Sequence, residues 1–301
     1  MTSLSKARIL WSMTEKTLEI LNNTGFPFQH FCANQIAQID GYEVSMEVPY
    51  TDPPTNGPIL GVHGQIDILA VHTSQSDDAL VCFIIECKRA NEKIKNWILL
   101  PNKQQKPVWP TTIFCMEAAG QPQQLSVARN ARFPSLGYHE GSDFEYCING
   151  IEMNSHMQAI NREPAEKIFK PLQQVAHGSH GYELMFPKVV EGIDLLREPK
   201  HSMLVSVPVI VTTANLYLAE FDPSTVVMGD IPANGLDLGQ PKPWLSYEYP
   251  LPDHQSYEIN REDGSVVAVG KRTIFIVNDK YLTEFFAKAS DVVLSNEPPR
   301  K

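Results

Sequence analysis

The sequence predicts an α/β protein: a mixed central sheet flanked by helices, with a β-rich C-terminal extension. Three observations carry that expectation. Short apolar runs, Ile66 to Val71 and Phe83 to Ile85 among them, are too brief for helices and read as buried strands. Apolar residues at helical spacing stand before and after these runs. The C-terminal part then returns to segments rich in Val, Ile, Leu and Phe. With 301 residues, 43% of them hydrophobic, the chain can bury a large core as one elaborated domain or two.

In chain order, Leu4, Ile9, Leu10, Met13, Leu18 and Leu21 give a first helix over Ser3 to Leu21 that caps the core. Gly25-Phe26-Pro27 opens a second, running to Ile39, and Tyr42 to Tyr50 alternates as a strand. Gly64 to Val71 and the run ending at Lys88 are the next two strands. Ala90 to Leu100 reads as a short helix halted by Pro101, and Thr111 to Glu117 as a fourth strand completing a small mixed sheet. Ala118 to Gly150, rich in Gly, Pro, Gln and Ser, reads as a connection. Met157 to Val175 is helical in pattern, interrupted near Pro164 and Pro171, and His177-Gly-Ser-His180 reads as a turn rather than a metal site. Ser202 to Val211, Asn215 to Phe221 and Lys271 to Val277 are strands, and Asn278-Asp279 caps a closing helix through Ala289. The expected organisation is a core over 1–120, a connection over 121–150 and an α+β extension over 151–301, packed on the same core or apart from it.

Two of the strands carry charge that a buried strand should reject: Asp67 within Gly64 to Val71, and Glu86-Cys87-Lys88 at the end of Phe83-Ile84-Ile85. Because successive side chains alternate across a strand, Glu86 and Lys88 point together while Cys87 packs inward and leaves its backbone carbonyl as a further ligand. Two carboxylates and a lysine on adjacent strands make a compact site for a hard cation and a phosphate. The cofactor expected is Mg²⁺ or Mn²⁺, with Asp67, Glu86 and Cys87 as the metal site.

Asp67 followed by Glu86-x-Lys88 on an apolar strand resembles the PD-(D/E)xK nuclease core shared by restriction endonucleases and by repair and recombination nucleases. The resemblance covers roughly residues 24 to 118 and implies a restriction-endonuclease-like core in which Asp67, Glu86 and Lys88 are catalytic. That family commonly places a glutamate on the preceding helix, where this chain has Gln29; either Gln29 acts as a neutral oxygen donor, or Glu15, Glu19 or Glu47 substitutes, or the site holds metal weakly. The family's proline before the aspartate is replaced by Ile66. Gln173 or Gln174 is a candidate for the site glutamine that some relatives carry on a later helix, beside the plainer reading of a core or solvent amide.

The net charge of −10 opposes a polyanionic partner on average, but phosphate contacts depend on local surface. From Lys88 to Lys106 the bases Lys88, Arg89, Lys93, Lys95, Lys103 and Lys106 face a single acid, Glu92, and Arg129 and Arg132 extend the run. Such a groove could hold a nucleic-acid backbone, with Trp97 and Trp109 as stacking platforms for unpaired bases, unless the run is a solvated face and the tryptophans are core. Five cysteines without CxxC spacing read as reduced core residues, and no zinc is expected. Gly264 to Lys271 fails as a P-loop, since five residues separate Gly264 from Gly270 and no Ser or Thr follows Lys271.

The expected function is metal-dependent hydrolysis of phosphodiester bonds, of DNA by family analogy, in a restriction, defence or repair role. The alternative is a nuclease-fold module that binds nucleic acid or protein without catalysis, which Gln29 and the acidic charge favour and the Asp67, Glu86, Lys88 set opposes. A homodimer would allow both strands to be cut. With no apolar run of membrane-spanning length and no leader pattern at the N-terminus, a cytoplasmic location without a membrane partner is expected.

Overall fold

The computed structural model describes residues 15–22, 24–52, 62–73, 79–90, 95–102, 114–118, 125–137, 146–154, 156, 165–194, 203–232, 234–252, 257–260 and 266–295. Residues 15–22 are helical (α1). The elements that follow are α2 (Phe26–Ala37), β1 (Tyr42–Asp52), β2 (Val62–Thr73), β3 (Ala79–Lys88), β4 (Asn96–Pro101), β5 (Phe114–Ala118), β6 (Leu125–Arg132), β7 (Cys147–Met153), α3 (Ala165–Asp194) and β8 (Met203–Thr212). Then come β9 (Asn215–Leu218), β10 (Trp244–Pro250), β11 (Tyr257–Asn260), β12 (Val266–Val269), β13 (Lys271–Asn278), α4 (Leu282–Ala289) and β14 (Val293–Ser295).

A mixed sheet of 12 strands runs β1-β2-β3-β8-β13-β10-β7-β4-β9, with β5, β6 and β14 attached beside β8, and helices cover it. β1, β2 and β3 form an antiparallel meander. β3 then pairs in parallel with β8, from Ala79↔Met203 to Lys88↔Thr212, and a parallel pair requires a crossover. α3 lies in that crossover and packs on β1, β3 and β8.

The alternation of β3 divides the apolar interior in two. Val81, Phe83 and Ile85 join Cys32 and Ile36 of α2 and Phe285 and Phe286 of α4. Cys82 and Ile84 join Leu172, Val175 and Ala176 of α3 on the opposite face. Both faces are therefore dry, which is why β3 reads as an almost unbroken apolar run. Tyr42 at the start of β1 donates from its hydroxyl to the Phe286 carbonyl at 2.8 Å, tying the meander to α4. No disulfide joins the buried Cys32, Cys82, Cys87 and Cys147.

Several sequence expectations need correction. The segment expected as a helix before Pro101 is strand β4, buried along Asn96 to Leu99; Trp97-Ile98-Leu99 has apolar residues on both faces and no helical spacing. β3 has β8 as its parallel partner, and the fourth strand expected at Thr111 to Glu117 lies elsewhere in the sheet. The latter region contributes β5, which pairs antiparallel with β6 and with the start of β8. The expected connection over 118–150 holds β6 and the start of β7. Pro171 and the His177 to His180 segment both lie inside α3. Gly178 and Gly181 are tolerated there because the helix presses on the sheet: a Cβ on Gly178 would sit 3.4 Å from Ile66, and one on Gly181 2.7 Å from the Tyr50 ring. Asn278 Oδ1 accepts from the Lys280 N–H at 3.1 Å and so caps the 3-10 turn Asp279–Tyr281 that leads into α4, whose own N-cap, Tyr281, makes no side-chain bond.

α3 is pinned to the sheet by a buried ion pair, with Arg272 Nη2 of β13 2.8 Å from Glu183 Oε2. Burial pushes the Glu183 carboxyl up despite the nearby Arg272 and His180. Desolvation thus outweighs pairing, and the contact matters most when one partner is lost. Arg272→Ala is expected to destabilise the fold by about 3–5 kcal/mol, and a double exchange of Arg272 and Glu183 for leucine by clearly less, as read from urea unfolding.

Candidate metal and phosphate site

The β2–β3 ladder runs from Thr73↔Leu80 to Ile68↔Ile85 and stops. At the next position the Asp67 side chain takes the role of the strand: its Oδ2 accepts from the Cys87 N–H at 2.7 Å. N–H and C=O of one strand residue point to the same side, so the Cys87 carbonyl faces the same gap. Its neighbour points the other way, the Lys88 carbonyl accepting from the Thr213 N–H at 3.4 Å beside β8. The Cys87 carbonyl, which the sequence reading offers as a backbone ligand, thus stands where the ladder has ended.

Glu86 and Lys88 share a face, and Lys88 Nζ lies 2.6 Å from Glu86 Oε1. Glu86 is 5% exposed, whereas the Lys88 side chain is 33% exposed. Burial and the Asp67 charge push the Glu86 carboxyl up to about 7; Lys88 opposes the shift and Glu47 adds to it. Hydrogen bonding to Cys32 and burial hold the Cys87 thiol well above its usual range, so only the Cys87 backbone offers a ligand atom.

Of the three glutamates weighed as substitutes for the helical acid, Glu15 and Glu19 lie exposed on α1, and Glu47 is the one whose charge reaches Glu86. Glu47 sits on β1 with φ of 54°, a left-handed conformation rare outside Gly, Asn and Asp. The register passes from Met46↔Ile68 to Val48↔Ile66, leaving Glu47 opposite Asp67. Across that step both strands change cores: Met46 and Ile68 pack with α2 and α4, Val48 and Ile66 with α3. The sequence carries no sign of this, since a Glu between Met46 and Val48 fits ordinary strand alternation.

Gln29 lies on the inner stripe of α2 with Cys32, Ala33 and Ile36, one turn from the Cys32 that meets Cys87. Its Oε1 is buried without a hydrogen-bond partner, an acceptor open to a cation or a donor. On α3, Gln173 lies 3.5 Å from His177 and faces solvent. Tyr182 Oη meets Cys82 Sγ at 3.8 Å and Gly178 lies over Ile84, so the helix runs antiparallel along β3. Gln174, one turn before Gly178 on α3, has an Oε1 that is likewise buried and without a hydrogen-bond partner.

Of the basic residues that the sequence suggests as a groove, Lys88, Arg89, Lys95 and Arg132 have described side chains. Arg89 is exposed but its Nη1 donates to the Asn22 carbonyl at 2.6 Å, holding the end of α1. Lys95 is exposed, and the turn from Thr213 to Asn215 joins it to Lys88, with the Asn215 N–H on the Lys95 carbonyl at 2.8 Å. Lys93, Lys103 and Lys106 lie outside the described residues, as do Trp109 and the Arg129 side chain. Arg132 is on β6, three strands from β3 by way of β8 and β5, about 14 Å at ordinary strand spacing, so it does not border Glu86. Trp97 is 3% exposed, which decides between its two readings in favour of core over stacking platform.

Among the described residues no group of three or more His, Cys, Asp or Glu side chains is arranged to hold a metal. Two carboxylates and one carbonyl nevertheless suit Mg²⁺, which keeps several waters and takes few protein ligands, better than Ca²⁺ or zinc. Compared with known families, curated proteins and solved structures, the chain matches none. Among the described residues no helix is long and apolar enough to cross a membrane.

Glu86 makes the site's cost measurable. Between about pH 4.5 and 7 the folded chain keeps a proton there that the unfolded chain has lost, so stability falls as pH rises through that window, by about 3 kcal/mol in all. Glu86→Gln should therefore unfold at higher urea than the parent at pH 8, and the gap should close toward pH 5.

Proposed function

We propose that this chain is a metal-dependent nuclease with a restriction-endonuclease-like core, hydrolysing phosphodiester bonds. The observation that carries the reading is the Asp67 carboxylate standing in for a ladder bond at Cys87, beside the buried Glu86 and its Lys88 partner. The succession α2, β1, β2, β3 and, after the inserted strands β4 to β7, α3 and β8 supports it: a helix, an antiparallel meander, a crossover that contains a helix, and a parallel strand. Restriction, defence or repair as the setting, and DNA as the substrate, rest on the resemblance alone.

Asp67, Glu86 and the Cys87 carbonyl would hold Mg²⁺ or Mn²⁺, with the Gln29 amide oxygen as a neutral supplement. Bound there, the cation supplies Lewis acidity toward a phosphoryl oxygen and acidifies a coordinated water. Glu86 must give up its proton to serve as a ligand, and its raised proton affinity sets activity to rise across neutral pH. Lys88, a compact point charge, offsets the negative charge that develops on the phosphate or orients the attacking water. The apolar flanks, Ile66 and Ile84, exclude solvent around the charges and strengthen both interactions.

The binding-module reading draws on the glutamine at position 29 and on the close Lys88–Glu86 pair. Cleavage separates the two. Single-stranded DNA, duplex DNA and RNA are incubated with the purified chain in Mg²⁺, in Mn²⁺ and in EDTA. We expect cutting that needs metal and falls about a hundredfold or more in Asp67→Ala and in Lys88→Ala. Undiminished cutting by Asp67→Ala would sink the assignment.

A further inference from the structure

Trp97, the aromatic that the sequence offered for base stacking, is buried, and the exposed rings stand elsewhere. On α2, Phe26 is 46% and Phe31 47% exposed, and His30 is exposed as well. The Phe26 and His30 rings lie 6.0 Å apart, tilted by 34°. One turn apart on one flank, they form a continuous aromatic surface that no described side chain covers.

Its position is set by the strand that carries the site. Arg89, next after Lys88, reaches the Asn22 carbonyl at 2.6 Å, four residues before Phe26. Nearby, the Thr24 N–H lies on the Leu21 carbonyl at 3.1 Å, and Thr24 Oγ1 is 3.4 Å from the Phe26 N–H. Gln29, on the next turn, lies on the inward stripe of α2 with its Oε1 buried. In a chain with 35 acids, Phe26 to Ala37 has none, and Arg89, held on the Asn22 carbonyl four residues before Phe26, brings a positive charge to this end of α2. A polyanion whose units carry flat, stackable faces fits both properties, as neither a lipid surface nor a second acidic copy of this chain does.

We infer that Phe26 and His30 form a stacking platform for the bases of a single-stranded nucleic acid whose backbone runs past Arg89 and Lys88. The inference rests on the nuclease reading and narrows its substrate to an unpaired strand. A duplex keeps its bases stacked on one another and offers no faces to the rings; an unpaired strand offers every base. Phe31, on the other flank of α2, is not part of the platform.

The test is fluorescence anisotropy of the full chain in EDTA with three labelled probes: an oligothymidylate, an abasic oligonucleotide of equal length and a duplex. The parent should bind the oligothymidylate more tightly than either other probe. Phe26→Ala with His30→Ala should weaken the oligothymidylate about tenfold and leave the abasic strand unchanged, whereas Phe26→Trp should retain binding. Equal affinity for the base-bearing and abasic strands overturns the inference. So does a loss shared by both probes, or a dimer that dissociates in the double variant without change in oligonucleotide binding. Should the parent cut phosphodiester bonds while the double variant binds and cuts normally, the platform alone fails; should it bind and cut no nucleic acid, the nuclease reading fails with it.

Discussion

Everything about the site depends on where the β2–β3 ladder ends. A sheet that is dry on both faces has no place for ionised groups unless their partners are built in, because an isolated buried carboxylate costs far more than the fold can spare. Here the strands separate at the position that carries Asp67, and the freed Cys87 N–H turns to that carboxylate. One hydrogen bond therefore satisfies a ladder donor, orients an acid and leaves the Cys87 carbonyl facing the gap. Glu86 meets the other half of the cost through Lys88, but incompletely, as its raised proton affinity shows. The remaining cost is met by the proton that Glu86 retains, and under the proposed function a divalent cation would take that proton's place.

The walls of this gap come from distant parts of the chain. Glu86 is paired with Ile210 and Lys88 with Thr212 of β8, and β13 supports β8 in turn through Phe275↔Val209 to Asn278↔Thr212. α3 packs on β3 and β8 and is anchored through Glu183 to Arg272. The C-terminal strands are thus part of the frame that holds the charges rather than an appendage. The left-handed backbone at Glu47 belongs to the same frame: it turns the meander so that the far halves of β1 and β2 pack with α3. A residue held in that conformation at a cost of about 1–2 kcal/mol marks a place where the surroundings over-determine the chain.

Asp67, Glu86 and Lys88 were legible in the sequence because charge inside apolar strands is a local contradiction that needs no alignment to notice. The helices opening at Phe26 and closing at Ala289 and the strands β1, β2, β3, β8 and β13 were legible for the same reason, as pattern within one window. The partner of β3 was not, because parallel pairing across more than a hundred residues leaves no mark in either strand. β4 was mistaken for a helix since Trp97 to Leu100 is a short apolar run that suits either state when only one strand's length is visible. Gly178 and Gly181 suggested a turn, whereas their missing side chains let α3 lie against Tyr50, Ile66 and Ile84. Which tryptophan was core, and which aromatic rings met solvent, depended on neighbours that only the assembled sheet supplies.

The central claim is that the gap at Asp67 binds a divalent cation in exchange for the Glu86 proton. It is tested most directly by calorimetric titration of Mn²⁺ into the full chain at pH 7, repeated in buffers of different ionisation enthalpy to count protons released. The account predicts one site, release of about half a proton on binding because Glu86 is near half-ionised at that pH, and loss of both signals in Glu86→Gln. Binding without proton release, or binding that survives unchanged in Asp67→Ala and Glu86→Gln, would contradict it.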